Sequence, residues 1–250
     1  DLLGGDFFVN VNQFAERDFP ADNGSNQFDL NNPNRILQKG DKYGYDYNIN
    51  ITRSAAWAQG VFKFSKLDLF LAGTASQTAF YRQGNTRHGL FPDNSFGKGT
   101  VNSFFNYGGK GGVTYKIDGR NYVSVNASYQ TRAPYFENVY VSPRTRHAQQ
   151  DKVNSETIQT IEGSYVLNAP KLKVHLGGYY TRFMGAMDVM TFYHDAYQNF
   201  VNYSFNGIDK LHFGGELGIE AKLSSTLTLN AAAAVGRYYY DSRQNATITV

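Results

Sequence analysis

The chain has 250 residues, enough for one large domain or two small ones, with a formal net charge of +3 and no cysteine. The missing cysteines exclude a disulfide framework and a thiolate zinc site. The small, dispersed charge excludes the basic footprint of a nucleic-acid binder. Gly (25), Tyr (19) and Phe (19) are abundant, which suits pleated strands carrying aromatics better than helices. No run approaches the ~20 apolar residues of a membrane-spanning helix. The most apolar stretch, Leu227 to Gly236, is short and contains Asn230.

In chain order, residues 1–42 are rich in Asn, Asp and Gly and read as a surface loop. Within it Asp22 to Asn26 is oxygen-rich but lacks the register and closing Glu of a calcium hand, so it reads as plain loop. Strands follow over 43–65 and 67–82, with the weakest alternation of the chain, joined at Ser65-Lys66-Leu67-Asp68. After an irregular stretch from Gln83 to Asn106 come strands over 108–117 and 121–132, joined at Asp118-Gly119-Arg120. Val123, Val125, Ala127 and Tyr129 alternate there with Ser124, Asn126, Ser128 and Gln130. A second long stretch, Ala133 to Asn154, leads to strands over 155–167 and 171–184, joined at Asn168-Ala169-Pro170-Lys171. A third, Gly185 to Lys210, leads to strands over 209–223 and 226–240, joined at Ser224-Ser225-Thr226.

The last pair carries the clearest pattern. Leu211, Phe213, Gly215, Leu217, Ile219, Ala221 and Leu223 share one face, against His212, Gly214, Glu216, Gly218, Glu220 and Lys222. A globular strand averages about 5–6 residues and a membrane-crossing one needs about 9–11, so this length favours a bilayer. Short turns alternating with loops of twenty or more residues give the two unlike ends of an outer-membrane barrel. The expected fold is therefore all-β, a transmembrane antiparallel β-barrel, with residues 1–250 forming part of one barrel domain. Tyr238, Tyr239 and Tyr240 are expected in an interfacial aromatic girdle.

Val123 to Val166 resembles the C-terminal barrel half of TonB-dependent outer-membrane receptors. Arg132-Ala133-Pro134, then Phe136, Glu137 and Tyr140, match a strand ending in Arg-Ala-Pro followed by an aromatic and a Glu-containing stretch. Ser155-Glu156 stands where Pro-Glu is usual, and Glu162-Gly163-Ser164-Tyr165 where the next strand opens. Gly214-Gly215-Glu216-Leu217 is similar to a later strand opening of the family. The resemblance implies a barrel of about 22 strands with a plugged lumen in the outer membrane of a Gram-negative cell. It implies import of a bulky nutrient, with no chemistry performed on it and no cofactor. The partners it implies are outer-membrane lipid, an inner-membrane energy-transducing complex acting through a plug that this sequence does not show, and a surface lipoprotein.

Five scattered histidines show no metal spacing; His175 and His212 fall on the polar faces and read as solvated lumen residues. Gly108 to Gly112 begins a strand and opens no helix, so it reads as strand glycine. Arg132, Ala133, Pro134 and Glu156 read as structural, Pro134 ending the ladder by withdrawing an N–H. Ligand contacts are expected on the loops, at Arg82, Arg87, His88, Phe91 and Phe96, and at Tyr193, His194 and Tyr197. Packing of loop on loop is the competing account of these aromatics. A passive porin, a barrel enzyme acting at the rim and a soluble β-sandwich adhesin are the rival classes.

Overall fold

The computed structural model describes residues 2–3, 9–10 and 24–249. Asp22 and Asn23 of the oxygen-rich segment, with residues 1, 4–8 and 11–21 of the loop expected over 1–42, lie outside the described residues. The sheet is a sequential antiparallel meander. Its strands are β1 (Tyr47–Lys63), β2 (Leu67–Gly84), β3 (Asn102–Lys116), β4 (Asn121–Arg132), β5 (Glu156–Asn168), β6 (Leu172–His194), β7 (Asn199–Lys222) and β8 (Thr228–Tyr240). Each pairs with its chain neighbour, β1 and β8 form the two edges of this order, and the sheet is not closed. A short β9 (Asn245–Thr249) pairs with the outer part of β7.

The four tight turns lie where the sequence places them, and local chemistry closes each. Asp118 Oδ1 accepts from the backbone N–H groups of Arg120 (2.7 Å) and Asn121 (2.9 Å). Ser224 Oγ accepts from Leu227 N–H at 3.0 Å. Phe64 N–H donates to the Leu67 carbonyl at 2.8 Å, and Ala169 N–H to that of Leu172 at 2.9 Å. Asp and Ser compete well for backbone donors, which is why they punctuate strands.

The third long loop differs from its expectation. Residues 185–210 form no irregular loop: β6 runs for 23 residues and β7 for 24, and their ladder continues to His194 opposite Asn199. The register breaks between Phe183 and Asp188. There Gly185 (φ +72°) and Gly207 (φ +67°) adopt left-handed backbone that other residues resist. Above this bulge, edge-on ring pairs join the strands, Phe192 with Tyr203 and Tyr193 with Phe200, each at 5.6 Å. Cross-strand aromatics of this kind sustain a ladder whose glycines and polar residues read as loop.

Pairing registers sort every side chain onto one of two faces. One face carries Leu69, Leu71, Val113, Val123, Val125, Ile161, Leu176, Leu217, Leu229 and Val235. Among the described residues no second sheet or helix covers this row: Leu217 is 37% and Val235 76% exposed. Leu211, flanked in register by Arg182 and Tyr239, is buried. From Leu211 to Ala221 the band rises roughly 25 Å, at ~3.3 Å per residue and the usual barrel tilt, which matches the hydrocarbon-facing belt of an outer-membrane barrel. At its Leu211 end the charges begin: Arg182, the register partner of Leu211, lies 3.8 Å from Asp209 and 3.6 Å from Asp241, and Arg237 stands opposite Phe213 on the same face, a charged collar that belongs in water.

The opposite face is polar. It holds Asp68 paired with Lys116 at 2.7 Å, Lys173 paired with Glu220 at 3.0 Å, and His175 and His212, as the alternation indicates. The three terminal tyrosines divide. Tyr239 is on the apolar face, whereas Tyr238 and Tyr240 turn inward, Tyr238 Oη meeting Tyr179 Oη at 2.7 Å. Only Tyr239 fits the expected girdle, because a period of two cannot put three successive residues on one side. The hydrophobic core lies where loops fold back over the polar face. Phe80, Val139 and Tyr140 pack there with Ile49, Phe104, Phe136 and Val153.

Leu217→Arg places a charge at mid-band and is expected to cost about 2–4 kcal/mol. Glu216→Gln, on the opposite face, is expected to stay within about 0.5 kcal/mol. Urea unfolding of the lipid-reconstituted protein checks the pair; equal effects would contradict the assignment of faces.

Candidate functional site

The long-loop end of β2 organises the loops. Arg82 is 1% exposed, and its guanidinium donates from Nε to the Pro143 carbonyl (2.6 Å) and from Nη1 to the Ser95 carbonyl (2.8 Å) and His147 Nδ1 (3.1 Å). Its backbone N–H donates to Tyr140 Oη at 2.9 Å, and its guanidinium lies 5.2 Å from the centre of the Tyr47 ring. Five donors in a fixed fork suit a residue that must tie several carbonyls. Arg82 thus joins loops 85–101 and 133–155 from beneath. It is placed as a structural pin, closed to any ligand in solution.

The other residues expected at the first loop separate. His88 is partly buried, donating its backbone N–H to Ser95 Oγ (2.8 Å), with its ring 5.7 Å from that of Phe91. Arg146 lies 4.2 Å over the Phe91 ring, so Phe91 is spent on packing loop against loop. Arg87 is exposed, its backbone held by Asp29 Oδ1 at 3.0 Å, and it leans over the exposed ring of Phe96 at 5.6 Å. Of the residues expected to contact ligand in the first loop, Arg87 and Phe96 are the ones that keep open surface. Tyr193, His194 and Tyr197 ride on the β6–β7 arm, with the His194 and Tyr197 rings 4.7 Å apart. The arm and the first loop therefore present two separate sets of candidates.

The Arg132-Ala133-Pro134 segment does end its strand: β4 stops at Arg132, and a short 3-10 turn follows at Phe136–Asn138. Arg132 pairs with Glu156 across to β5, and its guanidinium also covers the Tyr135 ring at 5.2 Å. The same segment roofs a cavity of about 310 Å³ on the polar face, with Arg53, Ser76, Asn106 and Gln130 in its walls. A second cavity of about 430 Å³ lies beside it, lined by Trp57, Gln59, Lys110 and Ser128, and the two share Thr74 and Gln130. Sequence reading placed function on loops and missed this trough. The one signal available was the single tryptophan, Trp57, in the strand of weakest alternation.

The loop pin holds two histidines whose environment disfavours their protonated form. Burial, with the Arg82 charge, holds His88 below the ordinary 6.5 of a histidine. Burial also lowers His147, opposed by its hydrogen bond to the Phe96 carbonyl and aided by Arg82. Both are neutral in the folded loops, as His147 Nδ1 must be to accept from Arg82. Unfolded histidines take up protons near pH 6.5 while the folded ones refuse them. The stability is therefore complete above about 6.5 and is lost as pH falls through the lower folded values. Hydrogen exchange of amides in 85–101 and 141–150, corrected for intrinsic rates, is expected to quicken at pH 5 relative to pH 7.5, and less so in His147→Gln. Unchanged protection would count against the pin.

Comparison with known proteins gives a likeness of fold. No protein-family model matches the chain, and no curated protein matches it. Among solved structures, the copper transporter OprC superposes with a TM-score of 0.66 at 13% sequence identity, over 88% of this chain and 33% of that one. The chain thus spans about a third of the length of that structure. At this identity the likeness is one of architecture: an all-β antiparallel wall of transmembrane-barrel type.

Proposed function

We propose that the chain is part of an outer-membrane, TonB-dependent transporter that moves a bulky nutrient inward. The observation that carries this reading is the uncovered apolar band of about bilayer thickness, backed by a polar face on the same strands. Hydrocarbon tolerates such a sheet where the N–H and C=O groups of each inner strand find partners in the strands on both sides. The Arg132-Ala133-Pro134 and Glu156 resemblance and the fold likeness to a transporter support the same reading.

In this reading outer-membrane lipid covers Leu217 and its row. An inner-membrane energy-transducing complex drives transport through a plug domain lodged against the polar face. The β6–β7 arm, with its exposed Phe192, Tyr193 and Tyr197, stands clear of the membrane where a surface lipoprotein could seat. The protein performs no covalent chemistry on its cargo.

The intact protein is expected in the outer-membrane fraction, with heat-modifiable gel migration and no steady conductance in planar bilayers. A stable open channel without an energised partner would instead indicate a passive porin. Recovery from the aqueous fraction without detergent would sink both membrane readings and leave the adhesin.

A further inference from the structure

The polar trough between β1 and β4 joins three features that point to one kind of ligand. First, Trp57 is 77% exposed on the polar face, where its register partner is Thr74. The apolar face at this height holds only Ala56 and Ala58 of β1, so the indole is not serving a lipid girdle. An open aromatic face of this size needs an apolar partner. Second, its row continues through Thr74 to Gly108 and then Gln130. A Cβ at Gly108 would come within 2.9 Å of Gln130 Cβ and 3.2 Å of Thr74 Cγ2. The glycine thus lets Thr74 and Gln130 close in on each other across β3, setting a hydroxyl and an amide side by side next to the indole.

Third, Asn106 in the next row, opposite Ser76, is 3% exposed, and neither atom of its amide has a hydrogen-bond partner. A buried unmet amide is costly, and a bound molecule bringing a hydroxyl satisfies both its donor and its acceptor. Charge narrows the class further. The residues lining the two cavities include Arg53, Lys110 and Arg132 and no carboxylate. Arg132 is committed to Glu156, which leaves Arg53 and Lys110 as the cations that set the sign of the trough. Thr78, beside Arg53, and Ala72, beside Lys110, lie six residues apart on β2, so the two cations are separated by roughly 20 Å along the strands. That is the length of a short oligomer.

We infer that this trough binds an acidic oligosaccharide: a sugar ring stacks on Trp57, amides and hydroxyls from Asn106, Gln130, Thr74 and Ser76 meet its hydroxyls, and Arg53 and Lys110 meet its carboxylates. The inference rests on the transporter reading, since it names the cargo class of the polar face.

The test is isothermal titration of the intact, detergent-solubilised protein with tetragalacturonate and with neutral cellotetraose. Tetragalacturonate is expected to bind more tightly, with affinity falling as salt rises. Trp57→Ala is expected to weaken it about tenfold and Trp57→Phe to restore most of the loss. Arg53→Ala is expected to remove most of the preference for the acid while leaving cellotetraose unchanged. No heat with either sugar, equal affinity for both, or full affinity in Trp57→Ala would overturn the proposal. Heat-modifiable migration of each variant controls for folding. Insertion without sugar binding defeats this inference alone, whereas failure to insert defeats the transporter reading beneath it.

Discussion

Pairing of the backbone is the constraint on which the rest of the structure depends. A sheet that meets hydrocarbon cannot leave N–H and C=O groups to water, so strands must stay in register across the whole band. Once register is set, side chains have no further freedom of face, and polarity is decided by the parity of the residue number. The long ladders from β2 to β8 meet this condition without a break below Phe183. The break at Gly185 and Gly207 falls beside the Arg182–Asp209 collar, where water is available to backbone groups left unpaired.

The two ends of the sheet obey different rules. At the tight-turn end, side chains such as Asp118 and Ser224 close each reversal locally. At the other end the loops are too long to be fixed by turn chemistry, and order comes from contacts distant in sequence. Arg82 supplies it by reaching residues 13, 58, 61 and 65 positions away. A neutral His147 completes the pin. The chain therefore concentrates its small hydrophobic core under the loops, at Phe80, Val139 and Tyr140, while the strands rely on their surroundings to cover the apolar band.

The trough follows from the same geometry. A wall that is apolar outside must be polar inside, and where the inner side also carries an unpaired indole, an unmet amide and cations without carboxylates, it is suited to hold something. The rim motif contributes to it in two ways: Pro134 ends β4, and its segment then roofs the cavity that Asn106 and Gln130 line.

The sequence by itself determined the strands, their tight turns and the identity of the two faces, because period-2 alternation is a local property that pairing only confirms. It also showed which end carries the long connections. It misplaced the β6–β7 arm, whose ladder is held by ring contacts such as Tyr193 with Phe200 across strands rather than by alternation within either one. It gave Tyr238 and Tyr240 to the girdle, although register turns them inward. It offered Arg82 as a ligand contact, because burial beneath two distant loops leaves no trace in neighbouring residues. Only the tertiary structure could bring Arg53, Trp57, Asn106 and Gln130 together, since they come from β1, β3 and β4 and meet through pairings far apart in the chain.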